Sequence, residues 1–424
     1  MQPLEKNIYA LVLLLAVLGG LSACAPVNKF DKVDSSLNTT CNGAAVQTKY
    51  IVHYLNGQWA YPTAKGRADF VEKFVRPNID AIDFVEYDQK INVENTVKVT
   101  ASAVAPALSG ADIDNWGPGS ISAPTAWQAG YRGQNVIVAV VDSGVDVTHP
   151  QLVNQIFYNT GEAGADSVGR DKRSNGVDDD NNGFVDDYAG YNFESNSGQM
   201  LDDVGHGTHV SGIIAAEHAD TQIMTGHVEG VAPSAKILPV KFLGVDGGTL
   251  SSALQGIDYA VLRGAKIINA SWGGNGCSNA LKQKIADLSA KNVLFVSAAG
   301  NSAANIELAP EYPAAYDLPL QITVGALTPT LLQADYSNYS RKLVQLFSPG
   351  SNIISTVPVA MGSYAAYSGT SMATPFVSGA AAVWISANPS SSMSLIRNSI
   401  LGSVTTDSTY MNATGGRLNL SSLK

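Results

Sequence analysis

Three side chains, Asp142, His206 and Ser371, have the types and the surroundings that nucleophilic catalysis needs. A serine hydroxyl is a weak nucleophile until a base removes its proton, and an imidazole supplies such a base near neutral pH. A buried carboxylate fixes the imidazole tautomer and stabilises its protonated form. Glycines flank both His206 and Ser371, so a substrate backbone can approach closely. The three residues together predict acyl transfer with Ser371 as the nucleophile.

The apolar runs around these residues indicate the elements that must position them. Asp142 directly follows a continuous apolar run, the pattern of a strand buried on both faces. Such runs cover 136–141, 237–242, 267–270, 293–296 and 322–324, and helical patterns cover 251–263, 279–290 and 372–386. This alternation predicts an α/β fold with an open, mostly parallel sheet, helices on both faces and a site at the carboxyl ends of the strands.

Composition excludes several classes of protein. The chain has 424 residues, of which 45% are hydrophobic and 15% charged, so disorder is excluded as the main state. Its formal net charge is −10 and it has no basic stretch, which argues against nucleic acid as a partner. Only the N-terminus carries a long apolar run, which excludes a membrane bundle. Three cysteines are too few for a disulfide-stapled scaffold.

In the order Asp142, His206, Ser371, the three segments resemble the subtilisin-like serine peptidases, and the resemblance extends from about Trp116 to the C-terminus. It implies a serine endopeptidase in which Asp142 orients His206, the general base and then acid. Asn301 is similar to the family residue whose side-chain amide completes the oxyanion hole beside the backbone N–H of Ser371. For a subtilisin, removal of that donor costs about two to three orders of magnitude in turnover.

Other functions remain open from the sequence. A peptide-binding or scaffolding protein that has lost catalysis would keep the fold, although no residue of the triad is missing here. An esterase or a peptide ligase could use the same triad. His206 and His209 are three residues apart, but the His-Glu-x-x-His pattern of a zinc hydrolase is absent.

Two segments resemble the family's substrate cleft. Gly247 and Gly248 match the edge strand that pairs with substrate backbone, as in binding by strand addition. Ser271, Trp272 and Gly273 match the strand that forms one wall of the specificity pocket. The resemblance therefore implies an extended polypeptide bound between these segments.

Glu311 precedes a Tyr-Pro pair and follows Asn301 by ten residues. The corresponding family residue lines the base of the pocket for the P1 side chain, the substrate residue just before the cut bond. A carboxylate there would favour Lys or Arg, because an ammonium or guanidinium can pair with it. The alternative is that Glu311 faces solvent.

The segment 178–187 is rich in acidic side chains and carries a glycine at 183. Oxygens at alternate positions before a glycine are typical of short calcium loops. It resembles acidic loops in one branch of the family, and the alternative is a solvated acidic turn. The candidate Ca²⁺ ligands are Asp178, Asp180, Asn182, Asp186 and Asp187.

The N-terminus predicts an exported protein. Residues 1–23 form a signal segment, and the four residues that end at Cys24 resemble the lipobox of bacterial lipoproteins. That resemblance implies lipidation of Cys24 and anchoring to the outer membrane or cell envelope. The alternative is an ordinary secretory signal and a secreted protein.

The region before the peptidase predicts two further parts. Residues 24–46 are polar and aperiodic and predict a flexible tether. Residues 47–98 predict a small α+β unit, which resembles the family's inhibitor-type propeptides, and 99–424 would be the peptidase domain. Such propeptides assist folding, block the cleft and are then cut off. The cut is expected between Glu94 and Lys98.

Cys277 follows Trp272 in a loop near the predicted cleft. It could be a free thiol, or it could pair with Cys41. The sequence leaves both possibilities open. Pairing would hold the propeptide covalently to the enzyme.

Overall fold

The computed structural model describes residues 37, 43–92, 115–218 and 228–423. The predicted signal segment, Cys24, Cys41 and the expected cut between Glu94 and Lys98 lie outside the described residues.

Strands and helices alternate along the described chain. The strands are β1 (Ala45–Tyr54), β2 (Trp59–Ala60), β3 (Ile82–Ile91), β4 (Ile137–Asp142), β5 (Tyr191–Asn192), β6 (Lys236–Lys241), β7 (Leu243–Gly244), β8 (Gly247–Thr249), β9 (Ile267–Ala270), β10 (Leu294–Ala298), β11 (Gln321–Leu327), β12 (Leu346–Pro349), β13 (Ile353–Thr356), β14 (Tyr364–Tyr367), β15 (Thr405–Thr406) and β16 (Gly416–Arg417). The α-helices are α1 (Arg67–Phe70), α2 (Arg76–Asn78), α3 (Trp116–Ser120), α4 (Ala123–Gln128), α5 (His206–Ala215), α6 (Leu250–Leu262), α7 (Asn279–Asp287), α8 (Thr370–Ala387) and α9 (Met393–Gly402). A π-helical turn (Val71–Val75) joins α1 to α2.

A nine-stranded sheet forms the centre of the molecule, with the strand order β15-β16-β12-β11-β10-β9-β4-β6-β5. The strands from β5 to β12 in this order pair in parallel, and only β15 and β16 pair antiparallel within it. The prediction of an open, mostly parallel sheet is therefore confirmed.

Strand β4 shows why the sequence favours this architecture. Val138 and Val140 point into a core shared with α5 and α8, whereas Ala139 and Val141 point into a core shared with α6 and α7. A strand covered by helices on both faces must be apolar at every position rather than at alternate ones. The continuous apolar run before Asp142 follows from that burial.

Helix α8 is enclosed by the rest of the fold. Every residue from Thr370 to Val383 is buried, and such a helix needs apolar or small side chains all round. Within the part of the chain that the structure describes, no helix is long and apolar enough to cross a membrane.

The N-terminal unit, defined here as residues 43–92, packs its own small core and joins the rest of the described chain through a sheet. Tyr50 on β1 stacks on Phe70 of α1 with the ring centroids 3.8 Å apart. Its strands continue into β8 and β7, in the order β2-β1-β3-β8-β7. The unit thus contains both strands and helices, and β3 lies along β8.

Candidate active site

Each of the three predicted catalytic residues lies at the end of an element. Asp142 ends β4, His206 begins α5 and Ser371 is the second residue of α8. The turn into α5 needs Gly205, whose φ of 83° lies in the left-handed region. Polar side chains thereby collect at the carboxyl edge of the sheet, where such folds place their sites.

Asp142 and His206 form a buried pair. Asp142 is 0% exposed and His206 2%, and Nδ1 of His206 lies 2.8 Å from Oδ1 of Asp142. Burial by itself lowers the pKa of His206, but Asp142, through its charge and hydrogen bond, and the charge of Asp202 together raise the pKa above its ordinary value. The contact pairs Nδ1 with the carboxylate, so Nε2 is the ring nitrogen that remains for another partner.

The hydroxyl of Ser371 donates to the backbone carbonyl of Ser271 at 3.0 Å. In return, the hydroxyl of Ser271 donates to the carbonyl of Ser371 at 2.9 Å. Among the described residues, no hydrogen-bond partner reaches the buried Nε2 of His206. In this structure the Ser371 hydroxyl therefore donates to a backbone carbonyl and not to His206.

Asn301 lies beside the start of α8. Its Oδ1 accepts a hydrogen bond from the backbone N–H of Thr370 at 2.8 Å. A Cβ built on Gly369 would lie 3.5 Å from Nδ2 of Asn301 and 3.6 Å from the backbone nitrogen of Ser371. The side-chain amide of Asn301 and the backbone nitrogen of Ser371 thus both lie near the space beside Gly369. Donors to a developing oxyanion must lie this close together.

Asp202 is a buried carboxylate that the sequence analysis missed. It accepts hydrogen bonds from the hydroxyl of Ser143 at 2.9 Å, the backbone N–H of Gly205 at 2.8 Å and that of Thr208 at 2.9 Å. Burial raises the pKa of Asp202, and these hydrogen bonds oppose the rise. Asp202 therefore ties the residue after Asp142 to the first turn of α5. The sequence feature that could have indicated this role is an acidic residue just before a predicted helix.

His209 is not part of a metal or catalytic arrangement among the described residues. Its Nε2 lies 3.0 Å from the carbonyl of Ile353 and 3.1 Å from that of Ala365. Burial, and then the charge of His206, lowers the pKa of His209 to about 3. His209 is thus neutral and donates to backbone carbonyls.

The predicted substrate strand, β8, is paired with β3 of the N-terminal unit. Ile91 lies opposite Gly248 in an antiparallel ladder. A Cβ on Gly247 would lie 2.5 Å from the carbonyl oxygen of Ile91 and 2.7 Å from Oδ1 of Asn92. The glycines therefore permit a close approach of backbone, and the N-terminal unit occupies the edge that an extended peptide would use.

A cavity of about 440 Å³ lies next to this ladder. Gly273 and Asn301 line it from the peptidase, and Gln89 and Lys90 line it from the N-terminal unit. Trp272 backs the cavity but is only 1% exposed, and its indole N–H donates to the carbonyl of Val141. Ser271 is also buried and contacts Ser371 rather than the open cavity.

Glu311 lines the same cavity and is half-buried. Its Oε1 accepts a hydrogen bond from the hydroxyl of Ser302 at 3.0 Å. A Cβ on Gly300 would lie 1.7 Å from its Oε2, so the carboxylate lies directly against the segment that leads to Asn301. The structure thus places Glu311 in the cavity wall.

Two carboxylates of the acidic segment lie close to a third one from outside it. Glu162, Asp180 and Asp187 bring carboxylate oxygens within 4.8 Å of one another. Asp178 instead accepts the backbone N–H groups of 182 and 183, and Asp186 accepts that of 176. Glu162 comes from an upstream 3₁₀ turn, so spacing within 178–187 gave no sign of it.

Asn182 and the neighbouring α6 complete the surroundings of this cluster. The amide Nδ2 of Asn182 donates to Asp187 at 3.2 Å, and the hydroxyl of Tyr259 donates to Asp187 at 2.7 Å. Arg263 lies 3.7 Å from Asp180. Oε2 of Glu162 is buried and has no hydrogen-bond partner among the described residues.

Two carboxylates of the N-terminal unit cap two helices of the peptidase. Asp88 accepts hydrogen bonds from the backbone N–H and the hydroxyl of Ser251, at 2.9 and 2.6 Å, at the start of α6. Glu86 accepts the backbone N–H of Ala280 at 2.7 Å, at the start of α7. Anionic side chains at helix N-termini satisfy free N–H groups and interact favourably with the helix dipole.

Known proteins resemble this chain in both sequence and fold. Residues 133–419 match the family described as Peptidase_S8, the subtilase family. The Major intracellular serine protease of Bacillus subtilis (strain 168) is 38% identical over 267 residues, which cover 62% of this chain and 72% of that protein. Subtilisin BL of Lederbergia lenta is 35% identical over 291 residues, which cover 68% of this chain and 91% of that protein.

A solved structure gives the same result for the fold. The crystal structure of a cold adapted subtilisin-like serine proteinase superposes with a TM-score of 0.54 at 28% identity, over 68% of this chain and 90% of that chain. The family match covers more than half of the chain and includes the segments around Asp142, His206, Asn301 and Ser371. The chain therefore belongs to the subtilase family and is a serine-type endopeptidase.

Proposed function

We propose that Asp142, His206 and Ser371 form the catalytic triad of this endopeptidase. Ser371 turns from the carbonyl of Ser271 to Nε2 of His206, which takes its proton as Oγ attacks the substrate carbonyl carbon. Asp142 holds the imidazole through Nδ1 and stabilises the imidazolium that forms. His206 then gives the proton to the leaving amine, and an acyl-enzyme remains on Ser371.

Asn301 and the backbone N–H of Ser371 stabilise the tetrahedral intermediate in this proposal. Its support is that both nitrogen atoms lie near the space beside Gly369. Hydrolysis of the acyl-enzyme repeats the steps with water as the nucleophile and His206 again as the base. The peptide bond is thus cut, and Ser371 is regenerated.

The observation that carries this proposal is the buried His206–Asp142 contact, at the edge of the sheet where Ser371 begins α8. The test is Ser371→Ala, compared with Ser386→Ala, which removes a hydroxyl from the same helix. The first variant is expected to give an intact, folded and uncut chain, and the second an active one. If Ser371→Ala cleaves peptides at the wild-type rate, the nucleophile is another residue.

The N-terminal unit acts in this proposal as an inhibitory propeptide that the enzyme removes itself. Its support is the pairing of β3 with β8 and the capping of α6 and α7 by Asp88 and Glu86. The chain then divides into a signal segment (1–23), a tether (24–46), the propeptide (47–98) and the peptidase domain (99–424). N-terminal sequencing of the processed wild-type protein should give a start between Glu94 and Lys98.

Export and lipidation of Cys24 complete this account, with the cell envelope or outer membrane as the location. The support is the sequence pattern before Cys24. Mass spectrometry of the N-terminal peptide and a Cys24→Ser variant test the lipid, and a secreted wild-type protein with no lipid would contradict it.

A structural Ca²⁺ fits the acidic cluster. Glu162, Asp180 and Asp187 offer hard oxygen ligands, and the unpartnered Oε2 of buried Glu162 is an acceptor that a cation would satisfy. When bound, the ion would offset the repulsion among three carboxylates; it has no part in the cleavage steps.

A catalytically idle binding protein is not favoured, because a lost triad or oxyanion residue would be its mark and all four residues are present.

A further inference from the structure

Cys277 is disulfide-bonded, which excludes the free thiol that the sequence left open. The sequence contains two other cysteines, Cys24 and Cys41, and both lie outside the described residues. Two observations therefore indicate the partner of Cys277: the contacts around Cys277 and the positions of the other cysteines along the chain.

The loop that carries Cys277 lies against the N-terminal unit. A Cβ on Gly276 would lie 2.6 Å from Cα of Gly43, so the two backbones are in direct contact. The side chain of Gln89 donates to the carbonyl of Cys277 at 3.0 Å. Gly43 and Gly276 also line the substrate cavity, so this contact is at the rim of the cleft.

Chain connectivity distinguishes the two candidate partners. Cys41 precedes Gly43 by two residues, a span of at most about 7 Å, and a disulfide joins Cα atoms about 4.4–6.8 Å apart. Cys24 is much farther along the chain and, if lipidated, has no thiol to pair. We propose that Cys41 and Cys277 form a disulfide that ties the propeptide to the rim of the substrate cleft.

Formation of this bond is a two-electron oxidation. Two thiols of the chain exchange with the disulfide of an oxidant, so that one protein disulfide forms and the oxidant leaves as two thiols. A dithiol reductant reverses the step and is itself oxidised to a disulfide. Both thiol groups return to the protein, and no other bond changes.

The consequence for regulation rests on the proposed function. A cut between Glu94 and Lys98 breaks the backbone between propeptide and peptidase, but the disulfide keeps the two pieces covalently joined. A tethered inhibitor has an effective concentration of about millimolar order, so it rebinds β8 faster than a free fragment would. Full activity then requires reduction of the disulfide as well as proteolysis.

The first arm of the test does not depend on activity. The Ser371→Ala protein is digested without reductant by an added protease of known specificity, and the linked peptides are identified by mass spectrometry. A peptide pair containing Cys41 and Cys277 is expected. A Cys24–Cys277 pair, or alkylation of Cys277 without reduction, would overturn the proposal whether or not the chain is a self-processing peptidase.

The second arm uses the processed wild-type protein, with Cys24→Ser as the matched control and Cys277→Ser as the variant. Wild type and control should run as one species without reductant and as two with it, whereas Cys277→Ser should give two species in both cases. A dithiol should raise wild-type peptidase activity at least severalfold and leave the Cys277→Ser rate unchanged. If the two pieces of the wild-type protein separate without reductant, no disulfide joins them and the proposal is contradicted.

Because Cys277→Ser could fail to fold, the reductant response of wild type provides an independent readout. A wild-type chain that is never cut would contradict self-processing alone, since the peptide map still reports the disulfide.

Discussion

His206 has two carboxylates near it, Asp142 in contact and Asp202 at the start of α5. In the proposed mechanism only neutral imidazole can accept the proton of Ser371, and the charges of both carboxylates raise the pKa of His206. We expect kcat/KM to rise with pH through a midpoint above the ordinary histidine value. Asp202→Asn removes one negative charge, so the midpoint should move to lower pH; the pH profile of kcat/KM measures this.

Asp203→Asn is the matched control for this shift. The Asp203 side chain is 38% exposed and binds Lys241 at 2.8 Å, so solvent screens its charge. Loss of the Asp203 charge should therefore move the midpoint of the pH profile less than loss of the Asp202 charge. Equal shifts in the two variants, or no shift in folded Asp202→Asn, would show that Asp202 does not act on His206 through its charge.

Glu311 leads to a prediction about the substrate residue before the cut bond. Its carboxylate lines the cavity, and the N-terminal unit places Lys90 at the same cavity. We expect the enzyme to prefer Arg or Lys over Leu at P1. A hydrogen bond to a charged group contributes about 1.5–3 kcal/mol, so Glu311→Gln should reduce the Arg-to-Leu ratio of kcat/KM by roughly tenfold to a hundredfold.

Glu311→Gln keeps the size of the side chain and an acceptor for the hydroxyl of Ser302, so it isolates the charge. Glu307→Gln changes an acidic side chain on the exposed surface nearby and should leave the ratio unchanged. A wild-type preference for Phe or Leu, or an unaltered Arg-to-Leu ratio in Glu311→Gln, would mean that the carboxylate does not bind the P1 side chain.

At the scale of elements, the caps on α6 and α7 come from a different part of the chain. Loss of an N-cap typically costs about 0.5–2 kcal/mol. In the uncut Ser371→Ala background, Glu86→Ala and Asp88→Ala should therefore each lower the free energy of unfolding by about 1 kcal/mol. Glu72→Ala removes an exposed carboxylate from the same unit and should have little effect. Equal losses for all three would contradict specific capping.

Burial of Glu86 determines whether its contribution to stability rises or falls with pH. Burial raises the pKa of Glu86, so protonation is easier in the folded precursor than in the unfolded chain. The pH-dependent part of the contribution of Glu86 to stability is therefore complete below its unfolded pKa and is lost as pH rises through the raised value. Glu86→Gln should abolish this part of the pH dependence, which denaturant titrations at several pH values would show.

The local sequence pattern predicted the strands and helices of the sheet. Most of the side-chain positions that it missed depend on long-range contacts. The apolar run before Asp142 predicts a strand because burial on both faces requires it. The positions of Glu162, Asp202 and Glu86 depend on partners brought close only by the tertiary fold. The direction of the Ser371 hydroxyl depends on the carbonyl of Ser271, a hundred residues earlier, and no periodicity reports such a contact.

At the scale of the molecule, one acidic cluster connects the long segment between β4 and α5 to helix α6. Tyr259 on α6 and Arg263 just after it contact carboxylates of that segment. The segment has little regular structure, so a bound cation would be an important link between it and the packed helices. Removal of the ion should affect the stability of the whole peptidase rather than one loop.

We expect chelation to lower the melting temperature of the Ser371→Ala protein, because an ion that binds only the folded state stabilises it, by about 2.7 kcal/mol at a hundred times its Kd. Glu162→Gln and Asp187→Asn should abolish this response, since both carboxylates belong to the cluster.

Asp178→Asn tests the ligand set suggested by spacing alone. That carboxylate already accepts two backbone N–H groups, so the variant should keep its sensitivity to chelator. Loss of the response in Asp178→Asn but not in Glu162→Gln would place the ion in the loop instead, and a wild-type melting temperature unaffected by chelator would exclude a stabilising ion.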